Sequence, residues 1–411
     1  MKTHTSDTPS KVVQKWLCFQ IGAREDYVVP RALKTRGMLG ELITDVWATP
    51  GSWISRGTNG LSARYHSDLA NAPVTASNYG ALRFEIGSRA RGRDGWNRII
   101  ERNDWFQSFA IAHLNRHRSK WEKERPIVFA YSYAALQIFK FARGLGWKTV
   151  LGQIDPGRAD ERLVSQLHNE PSAVDHDWQP APPRYWDQWS LECDLADQIL
   201  VNSTWTQDAL LNEGVPTERI KVVPLAIERF PDAAKFTRQY PIKFTPERPL
   251  RVLFLGQINL RKGVGVLFEA IRLVQDLPLE FWFVGPCQVS LPEDLRGDQR
   301  IKWIGAVARN NVAEYYRTAD VFILPTLSDG FGLTQLEAQC WKLPVVASTK
   351  CGRVVRHGEN GLLLEEISAH AIADSLRRLV RSPNELQAMA VASGVAEQFT
   401  LKSLASSLLT L

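Results

Sequence analysis

Short apolar runs alternate with helix-period stretches along nearly the whole chain, and the alternation is made twice. The runs 16–22 (WLCFQIG), 126–132, 148–155, 197–203 and 220–227 are almost continuously apolar. Such runs suit parallel strands covered on both faces rather than strands with one wet side. A helical stretch at 205–213 between two of them is stopped by Gly214. A Pro-rich, charged stretch at 231–250 interrupts the pattern. It then restarts with strands at 250–257, 279–285, 301–307, 320–326 and 344–349 and helices at about 264–275, 310–318 and 332–342. Parallel neighbours need crossover connections, and helices supply them. The expected class is therefore α/β, with two doubly wound domains, a linker near 228–248 and a helical tail over 367–411. The domain limits follow as 1–228, 229–395 and a C-terminal helix at 396–411 that packs back on the first domain. A chain of 411 residues accommodates this.

Composition removes several classes. Hydrophobic residues make up 44% and charged residues 23%, which excludes disordered, collagen-like and coiled-coil chains. The net charge of +6 is mild and spread along the chain. It favours small anionic ligands or an anionic membrane surface and does not argue for nucleic acid. Five widely spaced cysteines, Cys18, Cys193, Cys287, Cys340 and Cys351, contain no CxxC pair and read as reduced thiols of a cytoplasmic protein. No signal peptide and no apolar run of 18 residues is visible.

In a doubly wound fold, ligands lie beyond the carboxyl ends of the strands, so the loops there deserve the closest reading. The richest is DVFILPTLSDGFGLTQLEAQCWKLPVVAS (320–348). A strand ends at Pro325, a loop carries Asp329-Gly330-Phe331-Gly332, and a helix follows. The glycines allow the backbone to approach a ligand, and free amides at a helix start favour an anion. Glu337 follows Asp329 after seven intervening residues. Taken singly, each acid is an ordinary surface carboxylate. The pair with the Gly-Phe-Gly loop and the Leu-Pro-Val-Val strand is more specific.

This segment resembles the acidic–seven–acidic motif of retaining glycosyltransferases of family four, which have the two-Rossmann GT-B fold with the domains facing a central cleft. The family's first Glu is Asp329 here, and its helix-end Gly is Leu343. The resemblance implies that Glu337 holds the ribose hydroxyls of a nucleotide-sugar donor. It implies that Asp329 and the amides of Gly330, Phe331, Gly332 and Leu333 face the transferred sugar and the diphosphate.

A second loop, in VLFLGQINLRKGVGVLFEAI (252–271), places Lys262-Gly263 at a helix start. A lysine there can neutralise a leaving diphosphate without a metal. It resembles the family's G-R-x-x-x-x-K-G element, so Lys262 falls on the phosphate-binding lysine. Gln257 stands at the family's arginine, with Arg261 as the substitute cation. Gly263-Val264-Gly265 lacks the third glycine of a dinucleotide fingerprint. The stretch 196–230 resembles the close of the family's first domain and is read as architectural.

The first half matches less well. Gly22, after the first strand, resembles the loop that approaches the donor phosphates; a plain turn explains it equally. Asp155, in Gln153-Ile154-Asp155, occupies the place of a family histidine, and a cap on Pro156-Gly157 is its other reading. The stretch 83–125 is basic and interleaved with Trp96, Trp105, Phe106, Phe109 and Trp121. Either it is a solvated face with its aromatics in the core, or it lies on an anionic membrane that holds a lipid-linked acceptor. His113 and His117 share a helix face without a third ligand, and Asp175-His176-Asp177 reads as a loop.

The reading is a retaining, metal-independent hexosyltransferase with no cofactor beyond its nucleoside-diphosphate-sugar donor. Its acceptor is a saccharide or lipid-linked, and it is cytoplasmic, peripheral on the inner membrane face. Lys262, Asp329 and Asp155 are the catalytic candidates. Glu337, Gly330, Phe331, Gly332, Leu333, Arg261, Gln257 and Gly22 are the donor-binding ones. A non-catalytic nucleotide-sugar-binding protein and a nucleotide-sugar epimerase on the same fold remain the alternatives.

Overall fold

A computed structural model describes residues 14–52, 55, 63–169, 178–228 and 230–411. Asp175-His176-Asp177 lies outside the described residues. Two parallel sheets carry the fold. The first contains β1 (Trp16–Gln20), β2 (Leu39–Thr44), β3 (Val74–Ala76), β4 (Ile127–Tyr131), β5 (Thr149–Gln153), β6 (Gln198–Val201) and β7 (Ile220–Val222), in the order β3-β2-β1-β4-β5-β6-β7. The second contains β8 (Leu250–Leu255), β9 (Leu279–Val284), β10 (Ile301–Gly305), β11 (Val321–Leu324), β12 (Val345–Ser348) and β13 (Gly361–Leu364), in the order β10-β9-β8-β11-β12-β13. Both sheets are doubly wound, as the alternation predicted. Each reverses its winding once, between β1 and β4 and between β8 and β11, and those reversals open a crevice at the carboxyl ends of the strands.

Three strands escaped the sequence pattern. β2 (LGELIT) is broken by Gly40 and Glu41, β3 has three residues, and β13 (GLLL) is a short run. Glu41 is tolerated in β2 because it accepts from the Thr75 hydroxyl (2.6 Å) and pairs with His113 (3.0 Å). The helical tail resolves into helices at Ala369–Arg381, Pro383–Ala392 and Leu401–Leu408.

The chain divides into two compact units. One comprises Met1–Gly152, Asp187–Gln198 and Leu408–Leu411, the other Gln153–Trp186 and Ile199–Ser407. In the first, Glu192 is 1% exposed and accepts from the amides of Tyr133 (2.6 Å), Ala135 (2.8 Å) and Leu136 (3.1 Å). It thereby satisfies orphan donors at the start of helix Leu136–Gly144. Burial pushes its carboxyl up to about 7 against the pull of those amides.

In the second unit, β8 and β9 bury Phe254, Phe281 and Phe283 under helices Val264–Leu273 and Ala369–Arg381, while Leu253 packs on the opposite face with Tyr316 and Phe322. Arg238, from the predicted linker, is 7% exposed and reaches into this unit. Its guanidinium donates to the carbonyls of Tyr316 (2.6 Å), Trp341 (3.0 Å), Lys342 (3.1 Å), Arg317 (3.3 Å) and Ala319. One side chain thus caps the C-terminal ends of helices Val312–Thr318 and Thr334–Cys340. The segment is less a linker than a structural clasp.

Candidate active site

At the reversal of the second sheet, the loops after β8 and β11 are sewn together. After β8 the chain makes a 3-10 turn at Leu260–Lys262, whose entry is capped by the Asn259 side chain accepting from the Lys262 amide (3.1 Å). Gly263 follows at φ 76°, and a Cβ there would sit 1.9 Å from the Pro325 carbonyl. No other residue lets helix Val264–Leu273 start this close to the β11 loop. The Arg261 carbonyl accepts from Leu327 N (2.9 Å) and the Thr326 hydroxyl (3.2 Å). Asp329 N donates to the Lys350 carbonyl (2.9 Å).

This stitching sets two cations side by side against the acidic loop. The Lys262 ammonium forms an ion pair with the Asp329 carboxylate, and both side chains are 15% exposed. Burial pushes the Asp329 carboxyl up, but Lys262, Arg261 and the Phe331 amide outweigh it and hold the group below its ordinary range. The Arg261 guanidinium donates to the Ser328 carbonyl (2.8 Å) and lies 3.4 Å from the Asp160 carboxylate. Glu337, in the first turn of helix Thr334–Cys340, accepts from the Tyr316 hydroxyl (2.7 Å), and Tyr316 is fully buried. Asp160 and Tyr316 carried no motif. Tyr316 has no sequence signal beyond being an aromatic on a helix. Asp160, in the helix after a parallel strand, is where a search for further acids would have begun.

The other expected positions separate. Gln257 is exposed just beyond β8. The Phe331 ring is core, packed with Leu336, Val354 and Phe399, so only its backbone faces the loop chemistry. At Gly330 the place of a Cβ is filled by the Ile154 carbonyl, 2.1 Å away, so close backbone packing already requires glycine there. Gly332 has φ 74° and Leu333 precedes the helix. Asp155 accepts from Gly157 N (2.9 Å) and from the Gln153 amide (3.1 Å), the geometry of a turn cap. Gly22, in the first unit, donates its N–H to Asp45 (2.8 Å), and Asp45 also pairs with Arg64 and Arg102.

The reversal of the first sheet is bridged too. The Tyr131 hydroxyl, at the end of β4, donates to Glu25 (3.0 Å) in the loop after β1. Burial first, opposed by Arg24 and by that bond, raises the Glu25 carboxyl. Glu25, Asp26 and Tyr27 adopt φ of 50°, 52° and 58° in succession. Left-handed backbone costs about 1–2 kcal/mol per non-glycine residue, and such strain gathers at sites of function.

In the basic stretch, Phe106 and Trp121 are buried, and Trp105 stacks with Phe84 and Phe109. Several of its arginines are paired: Arg91 and Arg93 with Glu101, Arg98 with Glu85, Arg102 with Asp45. No described helix is long and apolar enough to cross a membrane.

Residues 249–382 match the family model described as Glycosyl transferases group 1. Among curated proteins, a D-inositol 3-phosphate glycosyltransferase of Pseudarthrobacter chlorophenolicus is 28% identical over 239 residues, covering 54% of this chain and 56% of the relative. The chain spans about half the length of the curated relatives it matches. Among solved structures, a sucrose-phosphate synthase from Thermosynechococcus elongatus aligns with a TM-score of 0.66 at 16% identity, covering 97% of this chain and 98% of that one. An Anabaena protein crystallised in complex with UDP aligns at 0.62 and 13% identity, covering 97% and 98%. At these identities the structural likeness shows the fold, which is the two-domain GT-B architecture.

Proposed function

We propose that this chain, whose residues 249–382 belong to the group 1 glycosyl transferases, moves a hexose from a nucleoside-diphosphate sugar to a saccharide or lipid-linked acceptor with retention of anomeric configuration. The observation that carries the reading is the adjacent cation pair, Arg261 and Lys262, set against Asp329 at the reversal of the second sheet. A diphosphate needs such neutralising groups most when its bond to the sugar breaks.

In the proposed reaction the bond from the anomeric carbon to the β-phosphate oxygen breaks, and the electron pair leaves with the diphosphate. Lys262, Arg261 and the amides of Gly330, Gly332 and Leu333 take up the developing negative charge. The acceptor hydroxyl attacks from the same face of the sugar, and the leaving phosphate oxygen receives its proton. Asp329 positions the sugar ring. Glu337, held by Tyr316, binds the ribose hydroxyls. Because the protein's own cations meet the diphosphate, the reaction runs without a metal. Gly22 and Gln257 are assigned to the donor, and Asp155 to catalysis, by resemblance alone. The acceptor is assigned to the first unit, where Glu25 and Tyr131 offer polar groups to its hydroxyls. Exposed Tyr79, Leu82 and Ile86 lie along helix Asn78–Ala90, beside exposed Arg83 and Arg89, and form the face assigned to an anionic membrane.

Melting temperatures with UDP, GDP, ADP and TDP test the donor site. Ligand at 100 times its dissociation constant adds about 2.7 kcal/mol. No stabilisation by any of the four would sink the reading. With the base known, release of nucleoside diphosphate in the presence of acceptor separates a transferase from a non-catalytic binder, and conversion of the donor sugar without acceptor would reveal an epimerase. The anomeric proton coupling of the product reports retention.

A further inference from the structure

Helix Arg158–His168 begins just beyond β5, and Asp160 lies in its first turn. This helix and the Arg261–Ser328 region belong to the same compact unit. Asp160 Oδ2 is 3.4 Å from Arg261 Nη1, and Oδ1 accepts from the Ser328 hydroxyl. Ser328 is 1% exposed and itself fixed, because Trp205 Nε1 donates to its Oγ at 2.8 Å. The Trp205 ring in turn carries the Lys350 ammonium 4.4 Å from its centroid. So the two neighbouring cations are each met by a carboxylate from a different segment: Arg261 by Asp160 and Lys262 by Asp329.

We propose that Asp160 is a positioning residue that holds Arg261 in the place of the donor diphosphate and releases it by taking up a proton when the donor binds. This rests on the reading of the site as one for a nucleoside-diphosphate sugar.

The charges favour the exchange. A diphosphate ester stays doubly negative through the neutral range. Set against Arg261, it brings like charge to Asp160 and draws away the cation that favours the ionised carboxyl. Burial already pushes Asp160 up to about 6, with Arg261 and the Ser328 hydroxyl opposing the rise and Asp155 and Asp329 adding to it. At neutral pH the group is mostly ionised, and a further rise that carries it well above the working pH protonates it. The proton comes from solvent and forms one O–H bond at the carboxyl. Neutral Asp160 then has a donor to offer a phosphate oxygen, where the carboxylate offered only acceptors. The charged neighbours on its own helix are engaged elsewhere: Glu161 accepts from Trp186 Nε1 (2.7 Å), Arg162 pairs with Glu213, and Arg158 lies over the Trp186 ring.

Calorimetry with UDP-glucose, GDP-mannose, ADP-glucose and TDP-glucose, in buffers of different ionisation enthalpy at pH 7.5, tests this. None of these donors titrates on its phosphates near neutrality, so protons counted come from the protein. The expected result is uptake approaching one proton per donor bound and an affinity that falls up to tenfold per pH unit above about 6. Asp160→Asn should abolish both and bind donor more tightly than the native chain at pH 8, by about tenfold to a hundredfold. Asp160→Glu should restore the pH slope, which a purely structural role would not do. If Asp160→Asn does not fold, the proton count on the native chain decides. Donor binding without proton uptake, or an unchanged pH slope in Asp160→Asn, overturns the proposal and leaves the donor site standing. No binding of any donor at any pH overturns both.

Discussion

Lys262 and Asp329 stand 67 positions apart and close one ion pair across the reversal of the second sheet. In the proposed function a diphosphate must open this pair to reach the lysine. Asp329 and Glu337 should therefore fail differently. If Glu337 holds the ribose as proposed, Glu337→Ala removes a contact made alike in ground and transition state, and should weaken nucleoside diphosphate binding by about 1–3 kcal/mol. Asp329→Ala frees Lys262, so it should keep or tighten nucleotide binding and lower turnover roughly 10²-fold or more. Calorimetry with nucleotide and initial rates with donor read both. Loss of nucleotide binding in Asp329→Ala with none in Glu337→Ala would reverse the roles.

Lys262→Met leaves Asp329 buried without its main partner, at a cost of about 3–5 kcal/mol. The folded carboxyl is depressed, so it contributes stability above the unfolded value near 3.8 that is lost as pH falls through the folded one. The variant should lose this acid limb, seen as a flatter melting temperature between pH 5 and pH 2.

Tyr316→Phe removes the hydroxyl that holds Glu337. Nucleotide affinity should drop by about 1 kcal/mol while turnover at saturating donor is kept. A fall in turnover with unchanged affinity would place Glu337 in the chemistry instead.

If Arg261 and Lys262 supply the charge that a metal supplies elsewhere, as proposed, turnover should persist in EDTA. Loss of activity in chelator that is restored by a divalent cation would refute metal independence.

Two structural side chains should matter for stability alone. Arg238→Met leaves the carbonyls at two helix ends without their donor and should cost about 3–5 kcal/mol, with nucleotide affinity of the folded fraction unchanged. Burial raises the Glu192 carboxyl to about 7, above its ordinary 4.5. Its stabilisation is full below about 4.5 and is lost as pH rises through 7. Glu192→Gln should flatten melting temperature over that window; an unchanged slope would assign it to other groups.

The repeated strand–helix alternation was enough to determine the doubly wound class, because long apolar runs joined by helices have few other ways to bury both faces of a sheet. The spacing of Asp329 and Glu337, and of Lys262 after β8, was legible because those residues sit in loops, or in the helix turn just after one, anchored to recognisable strands. β2 was not, because Glu41 looks like a strand breaker until Thr75 and His113 satisfy it. Arg238 read as linker charge, and Gly330 read as room for a ligand. Only the folded chain shows five carbonyls around the first and the Ile154 carbonyl filling the space beside the second. Asp160 had no motif at all. Its meeting with Arg261 joins positions 101 residues apart, and a hydrogen bond between such positions leaves no local period or spacing in the sequence. Local pattern decides which elements form. Which charges end up facing each other is decided by the winding of the sheets.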